Sequence, residues 1–382
     1  MLRRSSKCRK ILFVFQVLIA VFVFLLCLCF SNNATSQFTN ITQLNYNISS
    51  DFSPYKIDEF ELLLERINGK LISFCSEQNY TVIKEESVTP VLTNEWYFEN
   101  YETITKGTGF TEENINSGDK VAVISDKLAL KMFFSTDAVG KIITLNSENY
   151  KICGIYSESN FLINEISGDG KQRVYIPYTS FNEYGECEID TISYNHKAIS
   201  APLMEQMNLQ QYHFTDFAEK TKVIKNIEHI VWLVVFAMSA VIILKIWYKL
   251  CRKFIFEIRD NLKENYFITS LKTISIKYIL LVLIAIGIPM LLLTVFWVSD
   301  FSIYMVSKYI PCDNIFDVSY YLQTIIENEN LQNSLTLTGN TYLLKLYSNT
   351  FTVLIWLTII FVIWLFFIIV KIISLYKHTQ QS

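Results

Sequence analysis

Hydrophobic and polar residues are arranged along this chain in long blocks rather than in short periods. Four blocks are strongly apolar and carry almost no charge. An α-helix rises about 1.5 Å per residue, so roughly 20 residues cross a hydrocarbon core of about 30 Å. In lipid the backbone must satisfy its own hydrogen bonds, and the blocks are therefore predicted to be transmembrane helices. They are residues 11–30, 230–248, 278–298 and 351–370.

The first block shares one feature with a cleaved signal peptide, which is the basic segment before it. However, the block is longer than the roughly 7–15 apolar residues that are usual in signal peptides. No A-x-A cleavage site follows it. We therefore expect residues 11–30 to stay in the protein as a membrane anchor.

The distribution of Lys and Arg predicts the orientation of the helices. Residues 1–10 carry five of these side chains and residues 249–277 carry seven, whereas residues 299–350 carry two. Cytoplasmic loops are enriched in Lys and Arg. The chain is therefore predicted to be a multi-pass protein of the cell membrane, with 1–10, 249–277 and the tail 371–382 in the cytoplasm. Residues 31–229 and 299–350 are predicted to lie outside.

The large outer block is acidic. Residues 31–227 contain 16 Lys and Arg against 27 Asp and Glu, a balance of −11, although the whole chain is only −3. Such a surface argues against nucleic acid as a partner and is compatible with a cationic peptide. The simpler interpretation is an acidic surface that faces water.

The outer block reads as an α+β domain that is large enough to bury its own core. Its Ser-, Asn- and Thr-rich start, residues 31–54, is predicted to be a stalk. Apolar spacing predicts helices, and short β-branched or aromatic runs predict strands, with Asp126 as a helix N-cap. The predicted helices are 57–77, 126–134 and 202–207, and the predicted strands are 80–84, 120–125, 141–146, 150–156, 174–177, 188–194 and 212–217.

A spaced motif runs through the middle of this block. It begins FTEEN at Phe110, continues through VAVIS from Val121, DAVGK from Asp137 and YKICGI from Tyr150, and ends with VYIP at Val174. Its main positions are Gly118, Val121, Asp137, Gly140, Lys141, Asn146, Gly154 and Pro177. The motif resembles the periplasmic core domain of MacB-like and FtsX-like ABC transporter permeases, although Ala138 stands where those proteins usually have Pro. The resemblance implies structural rather than catalytic roles for these residues.

The order of one span, a large outer domain and three further spans is also that of this family. The resemblance implies that the loop 249–277 contacts a cytoplasmic ATPase. The loop partly matches the family's motif of basic and acidic residues, through Arg252, Lys253, Glu257 and Arg259. The small Ala and Gly residues that follow this motif in the family are missing. The other interpretation of this loop is a basic helix that rests on anionic lipid.

Other chemistry is poorly supported. The chain has no G-x-x-x-x-G-K-[ST] phosphate loop, so the resemblance places ATP hydrolysis in a separate subunit. The cysteines show no zinc-binding spacing, and we expect no cofactor, no metal and no catalytic residue. A disulfide among the outer cysteines stays open. These are Cys75, Cys153, Cys187 and Cys312.

Two classes of function follow. The resemblance implies a permease subunit that transmits ATPase-driven motion to the outer domain, for export or for activation of an outer partner. Its expected partners are an ABC ATPase, a second permease in a homodimer or heterodimer, and membrane lipid. The alternative is a membrane-anchored outer sensor, regulatory or binding protein without ATPase coupling.

Overall fold

A computed structural model of the chain describes most of its residues and divides them into two compact units. The first, called the helical unit, comprises Met1–Leu28, Lys225–Tyr304 and Trp356–Ser382. The second, called the sheet unit, comprises Cys29–Ile224 and Met305–Ile355. The described residues are 2–38, 41–48, 50–67, 71–83, 86–101, 104–158, 161–195, 207, 209–264, 266, 268, 275–298, 301–302, 304–306, 310–311, 314, 316–335 and 341–381.

The described residues form ten α-helices and eleven strands. The helices are α1 (Leu2–Gln37), α2 (Ile57–Ile67), α3 (Tyr97–Asn100), α4 (Glu112–Ser117), α5 (Asp126–Phe133), α6 (Leu162–Ser167), α7 (Phe217–Glu264), α8 (Ser275–Val298), α9 (Val318–Leu335) and α10 (Tyr342–Gln381). The strands are β1 (Ile41–Tyr46), β2 (Ile72–Glu77), β3 (Thr81–Ile83), β4 (Glu86–Thr93), β5 (Ile104–Gly107), β6 (Val121–Ser125), β7 (Ile142–Leu145), β8 (Glu148–Tyr156), β9 (Gln172–Pro177), β10 (Thr191–Asn195) and β11 (Tyr212–Asp216).

The helical unit is built from apolar helices. Among the described residues, four helices are long and apolar enough to cross a membrane, which confirms the predicted number. Side chains from three of them pack together: Ala20 and Val23 of α1, Val231 of α7, and Phe361 and Ile368 of α10. The qualifying segments are Val14–Gln37, Phe217–Asp260, Ile279–Trp297 and Tyr342–Lys371.

The helices extend well beyond the predicted spans. Much of the predicted cytoplasmic loop 249–277 is helical, because α7 continues to Glu264 and α8 begins at Ser275. Lys, Arg, Glu and Leu dominate the end of α7, and all are strong helix formers. The predicted outer loop 299–350 likewise contains α9 and the first turns of α10. A helix therefore does not end where its apolar run ends.

The sheet unit is a mixed α+β domain, as predicted. Its described strands form an eleven-stranded sheet in the order β11-β1-β10-β2-β4-β9-β6-β8-β5, with β3 on β4 and β7 on β8. The pairs β4–β9 and β6–β8 are parallel, and the other pairs are antiparallel. Strand β6, VAVIS, is buried over most of its length, as its unbroken apolar sequence predicts.

Several predicted boundaries were wrong. The stalk 31–54 does not form, because residues 31–37 complete α1 and residues 41–46 form β1. The predicted helix 57–77 ends at Ile67, and its second half is strand β2. Ser125, not Asp126, caps α5, since its Oγ accepts a hydrogen bond from the N–H of Leu128 at 3.1 Å. Residues 202–206 of the predicted helix 202–207 lie outside the described residues.

Candidate functional site

Two neighbouring strands of the sheet lead directly into two long helices. Strands β1 and β11 pair antiparallel, with Thr42 opposite Asp216. Three residues separate the end of α1 at Gln37 from the start of β1, and none separates β11 from α7. Asp216 ends β11 and caps α7, because its Oδ1 accepts a hydrogen bond from the N–H of Ala218 at 2.8 Å. The ends of α1 and α7 are therefore linked through adjacent, hydrogen-bonded strands.

Aromatic side chains pack at the helix ends beside these strands. The rings of Phe38 and Phe217 are stacked with centroids 5.3 Å apart, and neither residue is exposed to solvent. The ring of Tyr347, in the first turns of α10, lies 6.3 Å from that of Phe38. The Nζ of Lys220 lies 4.8 Å from the Tyr347 ring centroid, within the range of a cation–π contact. We call Phe38, Phe217 and Tyr347 the aromatic cluster.

A polar cluster binds α6 to the same helix ends. The Oδ1 of Asn164 accepts a hydrogen bond from the Nδ2 of Asn33 at 2.7 Å. The Nδ2 of Asn164 donates to the Oε1 of Gln37 at 3.0 Å and to the hydroxyl of Tyr342 at 2.7 Å. That hydroxyl also donates to Gln37 Oε1 at 3.2 Å. We call Asn33, Gln37, Asn164 and Tyr342 the polar cluster.

Burial makes these hydrogen bonds structurally important. Asn164 is 4% exposed, so its amide group must find partners within the protein. One end of α6 is held in a second way, because the Nδ2 of Asn349 donates to the Oγ of Ser167 at 3.0 Å. The other end is preceded by Phe161, whose ring meets that of Phe30 edge to face at 5.2 Å. Helix α6 is therefore fixed to the ends of both α1 and α10.

A cleft of about 730 Å³ opens beside the polar cluster. Arg173 lies in its wall, where its Nε donates to Glu77 at 2.7 Å and its Nη2 donates to Asp169 at 2.5 Å. Burial alone would raise the pKa of the Glu77 carboxyl, but Arg173 and Lys171 outweigh burial and hold that pKa below its ordinary value. These charges in the wall are therefore paired with one another.

A buried acid lies next to this ion-pair network. The Oδ2 of Asp190 accepts a hydrogen bond from the backbone N–H of Glu77 at 2.7 Å. Burial, opposed by that hydrogen bond and reinforced by the nearby Glu77 carboxylate, raises the pKa of Asp190 to about 6. The carboxyl of Asp190 therefore titrates close to neutral pH.

The motif residues predicted from the sequence lie in the sheet unit, away from both clusters. Val121 begins β6 and Pro177 ends β9. Gly118 ends α4 with φ 64°, and Gly140 has φ 85° before β7, a conformation that favours glycine. Asn146 occupies the turn between β7 and β8, with φ 47°.

The three remaining motif residues make local contacts. A Cβ on Gly154 would lie 2.3 Å from the carbonyl oxygen of Thr108, so β8 needs glycine at this position. The backbone N–H of Asp137 donates to the Oγ of Ser135 at 3.0 Å. The Nζ of Lys141 lies 4.8 Å from the centroid of the Phe133 ring.

The predicted ATPase-contact residues share one helix. Arg252, Lys253, Glu257 and Arg259 lie near the C-terminal end of α7. Arg252, Lys253 and Arg259 are exposed and Glu257 is partly buried. This helix therefore presents positive charge on its accessible surface, beyond its apolar segment.

The sequence left open whether the cysteines of the predicted outer segments form a disulfide. Cys75, Cys153 and Cys187 form no disulfide with one another, and Cys312 lies outside the described residues. Cys153 packs against the core, and its thiol donates to the carbonyl oxygen of Ala122 at 3.4 Å. Among the residues that the structure describes, no group of three His, Cys, Asp or Glu side chains could hold a metal ion.

Sequence reasoning missed the aromatic and polar clusters. Their members are Asn, Gln, Phe and Tyr residues scattered over more than 300 positions, and no local spacing connects them. The only available signal was their position, because most of them lie within a few residues of an apolar span or of a strand that continues into one.

Comparison with known proteins gives a family match. A family model described as the MacB-like periplasmic core domain matches residues 11–205, just over half of the chain. No curated protein matches the chain.

Two solved structures are similar. The periplasmic region of MacB from Actinobacillus actinomycetemcomitans is 14% identical, with a TM-score of 0.38, and the match covers 50% of this chain and 94% of that one. The extracellular domain of the noncanonic ABC-type transporter YknZ from Gram-positive bacteria is 18% identical, with a TM-score of 0.33, and the match covers 44% of this chain and 88% of that one.

Proposed function

The chain belongs to the family of the MacB-like periplasmic core domain, found in ABC transporter permeases, and from that premise we propose that it transmits ATPase-driven motion across the membrane. In this proposal a separate ABC ATPase subunit binds the cytoplasmic end of α7. Two permease chains, identical or different, pair around the ATPase. The sheet unit lies outside the cell and changes its shape or position when the helices move.

The connection between helices and strands carries this proposal. Because β11 passes into α7 without a linker, a displacement of the outer end of α7 must move β11 or break its pairing with β1. Helix α1 is joined to β1 through only three residues, so we expect its outer end to be coupled to the strand as well. A hydrogen-bonded strand pair resists shear, since sliding it by one residue would turn every side chain to the other face. Motion of either helix is therefore passed to the sheet.

A single helix also reaches the proposed ATPase contact. Helix α7 has 48 residues. It carries Arg252, Lys253, Glu257 and Arg259 at one end and joins β11 at the other. In this proposal a push at the charged end of α7 is transmitted along the helix to β11.

The ATPase contact can be tested by copurification. The full chain is extracted in mild detergent, and bound ABC ATPase is measured by mass spectrometry for wild type and for the double variant Glu257→Ala/Arg259→Ala. We expect the amount of ATPase that copurifies with the variant to be at least ten-fold lower than with wild type. The control removes one acidic and one basic side chain from the sheet unit, the ion pair of Lys120 and Glu148, and should leave binding unchanged. Equal ATPase recovery from all three proteins would refute the contact.

The orientation has its own test. Protease added to intact cells should cleave residues 31–229 and spare the segment 249–277, and opening the cells should expose both. Protection of residues 31–229 in intact cells, together with their cleavage once the cells are opened, would place the sheet unit in the cytoplasm and end the proposal.

One observation favours a second candidate function. The segment 261–265, Asn-Leu-Lys-Glu-Asn, stands where the family resemblance implies small Ala and Gly residues. An outer sensor or regulatory subunit without ATPase coupling would tolerate this change. Correct orientation together with no ATPase bound to the wild-type chain would favour this second function.

A further inference from the structure

Helix α6 has one face that anchors it and another that is apolar and exposed. Ile163, Asn164 and Ser167 are buried, at 5% exposure or less. Leu162 and Ile166 are each 63% exposed. Because they are four residues apart on a helix, these two side chains lie next to each other on the same face. Exposing Leu and Ile together to water is unfavourable, because it forgoes the free energy gained when apolar surface is buried.

The contacts of α6 place it at the level where two predicted spans leave the membrane. Phe161, just before α6, packs on Phe30, which is the last residue of the predicted span 11–30. Ser167, at the other end of α6, accepts a hydrogen bond from Asn349, two residues before the predicted span 351–370. Both ends of α6 therefore touch helix positions at the predicted outer boundary of the hydrocarbon core.

We infer that α6 rests on the outer leaflet and that Leu162 and Ile166 insert into the lipid at the headgroup boundary. The inference rests on the proposed membrane topology and goes beyond it, because it assigns a lipid contact to a segment far from any span in the sequence. Apolar side chains beside a bilayer gain free energy when they enter the acyl boundary.

The polar groups around Leu162 and Ile166 fit a position of α6 at the headgroup boundary rather than deeper in the hydrocarbon core. Glu165, the one charged residue of α6, is exposed, and Gly168-Asp169-Gly170 follows directly. A charged group and an irregular segment are costly in hydrocarbon but are readily accommodated among headgroups and water. Leu162 and Ile166 are thus the side chains of α6 that can enter the acyl region while its backbone stays at the surface.

The role proposed for this contact is to brace the domain. The polar cluster fixes α6 to α1 and α10, so a lipid-bound α6 moves only when those helices tilt or shift at the membrane surface. Helix α6 and strand β1 then move together with α1, while β11 follows α7. Motion of α7 relative to the bilayer would in this way shear the sheet against a lipid-anchored point.

Photo-crosslinking tests the lipid contact in the full chain. The photoreactive residue p-benzoylphenylalanine is placed at position 162 or 166, in protein reconstituted into nanodiscs of phosphatidylcholine and phosphatidylglycerol. Lipid adducts are measured by mass spectrometry after irradiation. The matched control is position 142, because Ile142 is 60% exposed on β7 of the same unit. Position 22 in the first span is the positive control, since Phe22 is also 60% exposed.

We expect lipid adducts at positions 162 and 166 at least ten-fold above those at position 142, and comparable with those at position 22. Adducts at 162 and 166 no higher than at 142, with strong labelling at 22, would overturn the lipid contact and leave the topology intact. Adducts to a second copy of the chain or to another protein would overturn it in favour of a protein interface. Absence of lipid adducts at position 22 would overturn the topology as well.

Discussion

Phe38 and Phe217 stack with their ring centroids 5.3 Å apart at an interplanar angle of 27°, and both are fully buried. The first residue lies between α1 and β1, and the second begins α7 directly after β11. The stack therefore ties together the two chain segments that pass between helix and sheet. Tyr347 of α10 packs against Phe38, so a third helix is tied to the same point.

Removing either ring of this stack should loosen the ends of β1 and β11. Phe38→Ala or Phe217→Ala leaves a cavity and should cost about 3 kcal/mol, measured as the opening free energy of β1 and β11 by amide hydrogen exchange in nanodiscs. The double variant should cost about 1 kcal/mol less than the sum of the two single variants, because the ring–ring contact is lost only once. Strict additivity would mean that the rings contribute independently. Phe→Leu variants provide a milder series if the alanine variants fold poorly.

Asn164 should be the most sensitive member of the polar cluster. Asn164→Ala removes the partner of the Asn33 amide and one partner each of Gln37 and Tyr342, all three of which are half-buried. The opening free energy of α6 should fall by about 2 kcal/mol. Hydrogen exchange of residues 162–167 measures the change.

The matched control for this variant is Asn149→Ala. Asn149 is exposed, and its Oδ1 accepts one hydrogen bond from the Oγ1 of Thr144 at 2.9 Å. Its loss should change the exchange of the β7–β8 hairpin by less than about 0.5 kcal/mol. An equal effect of both variants would contradict a special role of the buried amide.

The sequence predicted those parts of the molecule in which hydrophobic pattern and structure agree. The four apolar spans and strand β6 were found because their residues are apolar over the whole element. The strands β7 and β8, predicted as 141–146 and 150–156, were found because strand-forming residues flank a polar turn at Asn146 and Ser147. In these cases a local property of the chain determines the element.

Strand β1 shows why the rest could not be predicted. Three of the six residues in its sequence, ITQLNY, are Thr, Gln or Asn, yet five of the six are buried. Gln43 is 1% exposed and Asn45 is 0% exposed, because β1 lies between β10 and β11 and is covered on both faces. Only the tertiary structure decides that such a segment is a strand with neighbours on both sides. The polar cluster was missed for the same reason, since Asn33 and Tyr342 meet Asn164 only after folding.

Asp190 should make the sheet unit less stable as the pH rises toward neutrality. Its pKa in the folded protein is about 6, above the value of about 3.9 in an unfolded chain. The folded state therefore binds the proton more tightly, and stability from this group is full below about pH 4 and lost as the pH passes 6. Asp190→Asn keeps an oxygen acceptor for the N–H of Glu77 and removes the buried charge.

This variant should be more stable than wild type by about 2 kcal/mol at pH 7.5 and about equal to it at pH 4. The opening free energies of β2 and β10, corrected for the pH dependence of intrinsic exchange, provide the measurement. Asp51→Asn removes an exposed carboxylate and should leave the wild-type difference between the two pH values in place. A gain at pH 4 as large as that at pH 7.5 would show that the buried charge is not the cause.

Gly154 should tolerate substitution less well than Gly140, although only Gly140 has a positive φ. A Cβ on Gly154 would lie 2.3 Å from the carbonyl oxygen of Thr108, so Gly154→Ala must push strand β8 away from the segment after β5. Nothing lies within 4 Å of a Cβ on Gly140, so Gly140→Ala meets only the backbone cost of a left-handed conformation, about 1 kcal/mol. We expect Gly154→Ala to cost 1–2 kcal/mol more than Gly140→Ala, roughly the cost of overpacking a core. Hydrogen exchange of β5 and β8 measures the difference, and a larger loss in Gly140→Ala would show that backbone conformation outweighs the close approach of the two strands.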